Sequence, residues 1–198
     1  EDDVIEQLAK SIDVKCSRGS EENVLDRFYQ AVKNENADYI VRLTSDCPLI
    51  DPLLIDEVVS IALKKELDYY SNGLIESFPD GQDIEVFKFS ALETAWQNAI
   101  LTSDKEHVTP YIRKNSSFYN KKPFKSDNHL SETDYKSVRL TVDEPNDFIV
   151  IKHVIEALGD DKGWKEYANY YINNEEIKKL NSSIVRNEGY IKSLKNDN

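Results

Sequence analysis

The sequence has no methionine, not even at position 1, so the chain is expected to begin downstream of the start of its gene. Cysteine is scarce. Cys16 and Cys47 are too few for a disulfide scaffold, and free thiols in a reducing cytoplasm are expected. Long apolar runs are missing: no stretch approaches the roughly 18 residues that a membrane helix needs. The opening residues EDDVIEQLAK are acidic and carry no cleavable apolar segment, which argues against a signal peptide. Positive charge is also short. The net charge of −12 argues against long contact with a nucleic-acid backbone, which needs a basic face to neutralise phosphates. An acidic chain can still bind a nucleotide through a metal ion and backbone N–H groups.

Several catalytic signatures are absent as well. The three histidines, His107, His129 and His153, form no Cys/His cluster, and none follows His107 at i+4, so a zinc site is not expected. There is no G-x-S-x-G, which removes support for a serine hydrolase. Neither a Walker loop nor G-x-G-x-x-G occurs, so the P-loop and Rossmann readings lose their main signal. No repeat, low-complexity segment or linker divides the chain.

What is present fits one globular domain. The chain has 198 residues, 39% hydrophobic and 31% charged, enough to bury a core. Residues 1–11 carry Val4, Ile5, Leu8 and Ala9 at helical spacing, and residues 12–16 read as a short strand. Gly19 and Ser20 open a helix that Ser20 would cap, with Val24, Leu25, Phe28, Ala31 and Val32 on its apolar face. Strands are expected at 38–43, 67–71, 83–89 and 138–142, with Phe118-Tyr119 as a further short one in the polar, loop-rich stretch 114–136. Helices are expected at 52–64, 90–99 and 145–158. Ser90/Glu93 and Ser103/Glu106 have the spacing of capping boxes, and Pro110 should restart the helix that the second box begins. Residues 163–198 read as a helical, then polar, tail. The alternation of strand and helix with short connections argues for an α/β domain with a mostly parallel sheet.

In such sheets ligands bind outside the carboxyl ends of the strands. Asp46 follows the strand at 38–43 and Asp143 follows the strand at 138–142, so both fall on that edge. Two carboxylates there suit Mg²⁺, which takes one or two and completes its shell with water and phosphate oxygens. Each also has a plainer reading. Asp46 suits a turn before Cys47-Pro48, and Asp143 and Asp147 suit caps of the helix led by Pro145. Asp83 and Glu85 would share one strand face, set either to grip sugar hydroxyls or to face solvent. His107 and Tyr111 share a helix face directed to the cleft or to the core.

The segments RGSEENVLDRFYQA, ADYIVRLTSDCPLIDPLLIDEVV, DYYSN, FPDGQDIEVF, EHVTPYIR, VRLTVDEPNDF and IVRNEGYIKSL, in this order, resemble the cytidylyltransferase-like family of spore coat polysaccharide biosynthesis protein F. That family is similar to the CMP-sugar (acylneuraminate) synthetases. The resemblance runs from about Asp3 to the C-terminus, and its most specific pieces are T-x-D-C-P-L-I-D and P-D-G-x-D-x-E-V-F. It implies a three-layer nucleotide-diphosphosugar-transferase (glycosyltransferase-A-like) fold. It also implies transfer of CMP from CTP to an acidic or surface-polysaccharide sugar with release of pyrophosphate. Asp46 and Asp143 then become the metal-binding and catalytic aspartates, holding Mg²⁺. Arg42 and Ser20 fall on the nucleotide side, and Asp83, Glu85, His107 and Arg113 on the sugar side. Related synthetases commonly form homodimers.

Two departures stand out. The family opens with a strand and a Q-A-R-x-x-S-x-R-L-P-x-K segment that wraps the triphosphate, and neither occurs here. The chain is thus expected to lack the first strand of the fold. Asn23 stands where the family has aspartate. Two other readings keep the fold: a glycosyltransferase using a nucleotide-sugar donor, and a nucleotide-binding module without catalysis.

Overall fold

The computed structural model describes residues 2–197. Helix α1 (Asp3–Ser11) and helix α2 (Val24–Val32) precede the first strand, β1 (Tyr39–Arg42). Then come α3 (Pro52–Lys64), β2 (Tyr69–Ser71), β3 (Glu85–Lys88), α4 (Phe89–Asn98), α5 (Thr102–His107), α6 (Pro110–Lys114) and β4 (Ser126–Asn128). The chain closes with α7 (Pro145–Leu158), α8 (Trp164–Asn173), α9 (Glu175–Asn181) and α10 (Glu188–Lys195).

The sheet has the order β1-β3-β2-β4. β3 runs antiparallel to both β1 and β2, while β4 pairs parallel with β2. Three strands therefore share one direction and β3 opposes them, so the sheet is mixed. Strand alternation divides the core into two faces. Tyr70, Ile84 and Val86 pack with Leu54 and Val58 of α3, Val150 and Val154 of α7 and Tyr167 of α8. Ile40, Tyr69 and Phe87 pack on the other side with Leu25 of α2, Leu92 of α4 and Ile112 of α6. The result is a three-layer α/β sandwich, as expected.

Local chemistry explains the well-formed helices. Asp51 caps α3, accepting from Leu53 N–H at 2.8 Å, with Pro52 at the first turn. In α7, Pro145 again leads, and Asp147 Oδ2 accepts from Glu144 N–H at 3.0 Å. Pro110 starts α6, as its missing N–H demands.

Several expectations need correction. Residues 12–16 form no strand and lie exposed, with no neighbouring strand among the described residues. Ser20 does not cap α2. The cap is Asn23, whose side chain accepts from Asp26 N–H at 3.0 Å. Neither predicted capping box forms, because its members have tertiary partners: Glu93 accepts from Tyr29 O–H, Ser103 donates to Asp197, and Glu106 accepts from Ser193 O–H. Phe118 and Tyr119 lie in a 3₁₀ turn (Ser117–Tyr119), and the strand of that region is β4.

Residues 138–142 are extended but join no ladder beyond an isolated parallel bridge of Arg139 to Asp80. Their neighbours are a tight turn on one side and the loop after β1 on the other. Leu140 N–H donates to Asp80 O and Val142 N–H to Asp46 O, both at 2.8 Å. Gly81 makes the first approach feasible. It holds φ at +99°, and a Cβ there would lie 2.6 Å from the Leu140 carbonyl. Gly81→Ala is therefore expected to cost about 2–3 kcal/mol of stability, since the conformation is essentially restricted to glycine. Urea denaturation of the two chains measures this, and an unchanged midpoint would refute the close approach.

Candidate active site

A cleft of about 460 Å³ opens where β1 and β2 end and β3 begins. Strand direction puts these three termini together, because β3 runs against its neighbours. Seven of the eight residues singled out from the sequence line this cleft: Arg42, Asp46, Asp83, Glu85, His107, Arg113 and Asp143. Ser20 does not. It sits on an exposed loop and accepts from Asn23 N–H at 2.9 Å.

At one end lie the aspartates. The bond from Val142 N–H to Asp46 O brings the two backbones together, so that Asp143 follows directly beside Asp46. Asp46 makes no ion pair among the described residues, and its nearest side-chain partner is the weakly donating thiol of Cys47 at 3.4 Å. Burial pushes that thiol up to about 12, so Cys47 stays protonated and is no nucleophile. The side chain of Asp143 is 52% exposed, and its Oδ2 accepts from Arg139 Nη2 at 2.8 Å. No group of three or more His, Cys, Asp and Glu gathers among the described residues, so the geometry offers carboxylates rather than a full protein cage.

Across the cleft sits a buried carboxylate. The strand register places Glu85 opposite both Arg42 and Ser71. Its oxygens accept from Arg42 Nη1, Tyr69 O–H and Thr109 Oγ1, each at 2.6 Å. Burial alone would raise its pKa. The charges of Arg42 and Arg113 and the two hydroxyls outweigh burial and hold it below the ordinary range. Glu85 therefore does not face solvent, nor is it free to grip a sugar. Arg42 keeps a buried Nε that has no hydrogen-bond partner among the described residues.

His107 and Thr109 reach the cleft from a sharp reversal between α5 and α6. Val108 adopts φ +71° and ψ −57°, and Thr109 N–H donates to His107 O at 2.8 Å. This is a γ-turn of the strained hand, at a β-branched residue. Burial lowers the pKa of His107, so its ring is neutral near pH 7. The guanidinium of Arg113 lies 5.7 Å from the centroid of the Tyr190 ring and makes no side-chain hydrogen bond or ion pair among the described residues.

The third wall was not foreseen. Residues 184–192, including Tyr190 and Lys192, close the cleft from the C-terminal side. Arg186 fastens this arm by donating to Asp83 at 2.6 Å and to Phe78 O at 3.2 Å. Ser193 fastens it to His107 at 2.9 Å. Asp83 is thus engaged with the arm. Burial pushes Asp80, beneath it, up to about 6 against the pull of Arg186 and Arg139. Arg139 carried one signal in sequence: an arginine between Val138 and Leu140 in an apolar run is buried and needs acidic partners.

The three-layer α/β architecture thus gathers acids on one side of the cleft and cations on the other. Residues 1–177 match the family model described as cytidylyltransferase, and the chain belongs to that family. It is 38% identical over 196 residues to an uncharacterized protein of Methanocaldococcus jannaschii, covering 96% of this chain and 76% of that protein. It is 31% identical over 160 residues to the spore coat polysaccharide biosynthesis protein SpsF of Bacillus subtilis, covering 80% and 64%. Among solved structures, a cytidylyltransferase from Leptospira borgpetersenii superposes with a TM-score of 0.84 at 32% identity, covering 93% of this chain and 76% of that one. No helix of the described residues is long and apolar enough to cross a membrane.

The Glu85 knot makes a pH prediction. A carboxylate whose folded pKa is depressed stabilises the fold above its unfolded value of 4.5, and this is lost as pH falls through the folded value. Glu85→Gln should cost about 3 kcal/mol at pH 7, the scale for breaking a buried pair. The gap from wild type should narrow as pH falls below 4.5, because the folded carboxylate loses its charge only below that value. Denaturant titrations across that range test it. A gap that does not change with pH would show that Glu85 is not the ionised partner of Arg42.

Proposed function

We propose that this chain catalyses transfer of the cytidylyl group of CTP to a hydroxyl of a carboxylate-bearing sugar, with Mg²⁺ held by Asp46 and Asp143. The observation that carries this reading is the division of charge in the cleft. Among the described residues Asp46 has no cationic partner at one end, and at the other Arg113 adds its charge to the Glu85 knot without a side-chain hydrogen bond or ion pair of its own. The two aspartates fit a hard divalent ion: Asp46 is free of ion pairs, and Asp143 engages Arg139 through Oδ2. When bound, the ion screens charge on the phosphate oxygens and the leaving pyrophosphate.

The residues of the chain supply position. Arg42 is oriented by Glu85 through Nη1, which sets its guanidinium charge at the cleft for the nucleotide phosphates. Arg113 pairs with the sugar carboxylate, and the Tyr190 ring under its guanidinium keeps it in place. The neutral His107 ring, bonded to Ser193, shapes the sugar side. The sugar oxygen attacks the α-phosphorus in line, the bond to pyrophosphate breaks, and the hydroxyl proton passes to solvent. Orientation and electrostatics then carry the rate. SpsF, by its name, acts in spore coat polysaccharide biosynthesis, which agrees with a sugar acceptor.

Two substitutions test this with CTP, Mg²⁺ and a panel of acidic and neutral sugars. Asp46→Ala is expected to slow pyrophosphate release about 100-fold, roughly 3 kcal/mol of lost stabilisation. An unchanged rate would refute the metal role. Arg113→Ala is expected to raise KM for an acidic sugar about 10–100-fold, the range for a lost charged hydrogen bond, with KM for CTP little changed. Equal KM values for the acidic sugar would refute the carboxylate contact. Glycosidic transfer from a CMP- or UDP-sugar, without pyrophosphate release, would instead mark a glycosyltransferase.

A further inference from the structure

The geometry points to Arg139 as the positioning residue that fixes Asp143 for its cation, an inference that rests on the metal reading above. Arg139 is 5% exposed and spends its guanidinium on carboxylates alone. Nη1 donates to Asp80 Oδ2 at 2.7 Å. Nη2 donates to both Asp143 Oδ2 and Asp147 Oδ2 at 2.8 Å, and Nε donates to Asp147 Oδ1 at 2.9 Å. Every side-chain bond it makes among the described residues goes to one of these acids, so it acts through them.

Asp143 is thereby held at two points. Arg139 holds its side chain, and Asp147 Oδ2 accepts from its backbone N–H at 3.1 Å. The holder is itself held. Asp147 is fully buried, and its other oxygen also accepts from Asn181 Nδ2 at 2.9 Å. Burial alone would raise the Asp147 pKa, but Arg139, Asn181 and two backbone N–H groups keep it below the ordinary range. Asp143 Oδ1 has no hydrogen-bond partner among the described residues. The arrangement leaves one oxygen of a half-exposed carboxylate facing the cleft while its other oxygen is tied to a buried anchor. Partners of metal ligands act in this manner, and their loss typically costs 10–100-fold in metal affinity. Lysine could keep the charge but not the fork that reaches three carboxylates at once.

The test is a double-mutant cycle on Mn²⁺ affinity, with CTP present, followed by electron paramagnetic resonance of free Mn²⁺. Arg139→Lys is expected to weaken Mn²⁺ binding at least 10-fold. In an Asp143→Ala background the same change should weaken it less than about 2-fold further, because the carboxylate that Arg139 aims is already gone. Wild-type affinity in the single R139K variant, or the same loss in both backgrounds, would overturn the inference and leave Arg139 a fold residue. If R139K does not fold, Asp147→Asn replaces it in the cycle, with the same two outcomes expected. A wild-type chain that binds no Mn²⁺ with CTP would overturn the metal reading itself, and this inference with it. Tight wild-type binding with an indifferent R139K overturns the inference alone.

Discussion

Removing a guanidinium and a carboxylate from water costs several kcal/mol per ion before any attraction is counted. Arg139 and Asp147 meet under that penalty, and the surrounding structure exists in a form that offsets it. Asp147 receives two bonds from the guanidinium, one from Asn181 and two from backbone N–H groups. Arg139 also donates to Asp80 and Asp143. Through this contact the turn at Asp80, the extended segment 138–142, the start of α7 and the end of α9 are fixed to one another. Asn181 also accepts from Tyr171 O–H at 2.8 Å, which brings α8 into the same knot. The position of the aspartate pair in the cleft depends on that chain of contacts.

A second knot, around Glu85, governs the opposite wall. It has the same logic but different parts: one carboxylate, two hydroxyls and an arginine, set by strand register rather than by a helix start. The two knots divide the cleft by charge. Among the described residues the acidic wall leaves Asp46 without an ion pair, and in the basic wall Arg113 adds its charge to the Glu85 knot without bonding it. Arg186 joins the walls, since it reaches Asp83 and also lies 3.5 Å from Asp80, which Arg139 shares. The C-terminal arm thus rests on the same acids that support the aspartate pair.

What the sequence disclosed follows the range of the interactions. Helices α3 and α7 were legible to the residue because their starts are local chemistry: Asp51-Pro52 for α3, Pro145 with Asp147 for α7. The placement of Asp46 just after β1 was legible because it needs only chain order, whereas Asp143 follows an extended segment that joins no ladder and is set beside Asp46 by the bond from Val142 N–H to Asp46 O. The capping boxes at Ser90 and Ser103 were misread because their acids and hydroxyls are drawn to residues far along the chain, such as Ser193 and Asp197, which no local pattern contains. The face of Glu85 was open for the same reason. Alternation assigned it a side of the strand but could not show that Arg42, Tyr69 and Thr109 would converge on it. The mixed character of the sheet was hidden too, since β2 and β3 carry no mark of direction. Arg186 and Tyr190 lay in a quoted segment, but nothing local showed that the tail would fold back over the cleft.

The turn at Val108 shows how the walls are held open rather than collapsed. A β-branched residue in that conformation stores about 1–3 kcal/mol, and it persists only where its surroundings over-determine it. Here the surroundings do so from three directions. The Val108 side chain is fully buried in the apolar layer with Leu92 and Ile112. Thr109 is bonded to Glu85, and His107 to Ser193. Relaxing the turn to ordinary helix would join α5 to α6 and rotate His107 and Thr109 about 200° apart around one axis, at 100° per residue. One of them would then leave the cleft. The strain is the consequence of presenting two residues, i and i+2, to the same small volume while the residue between them fills the core. It links the arm, through His107, to the carboxylate that orients Arg42, through Thr109. The basic wall is therefore a single mechanical unit.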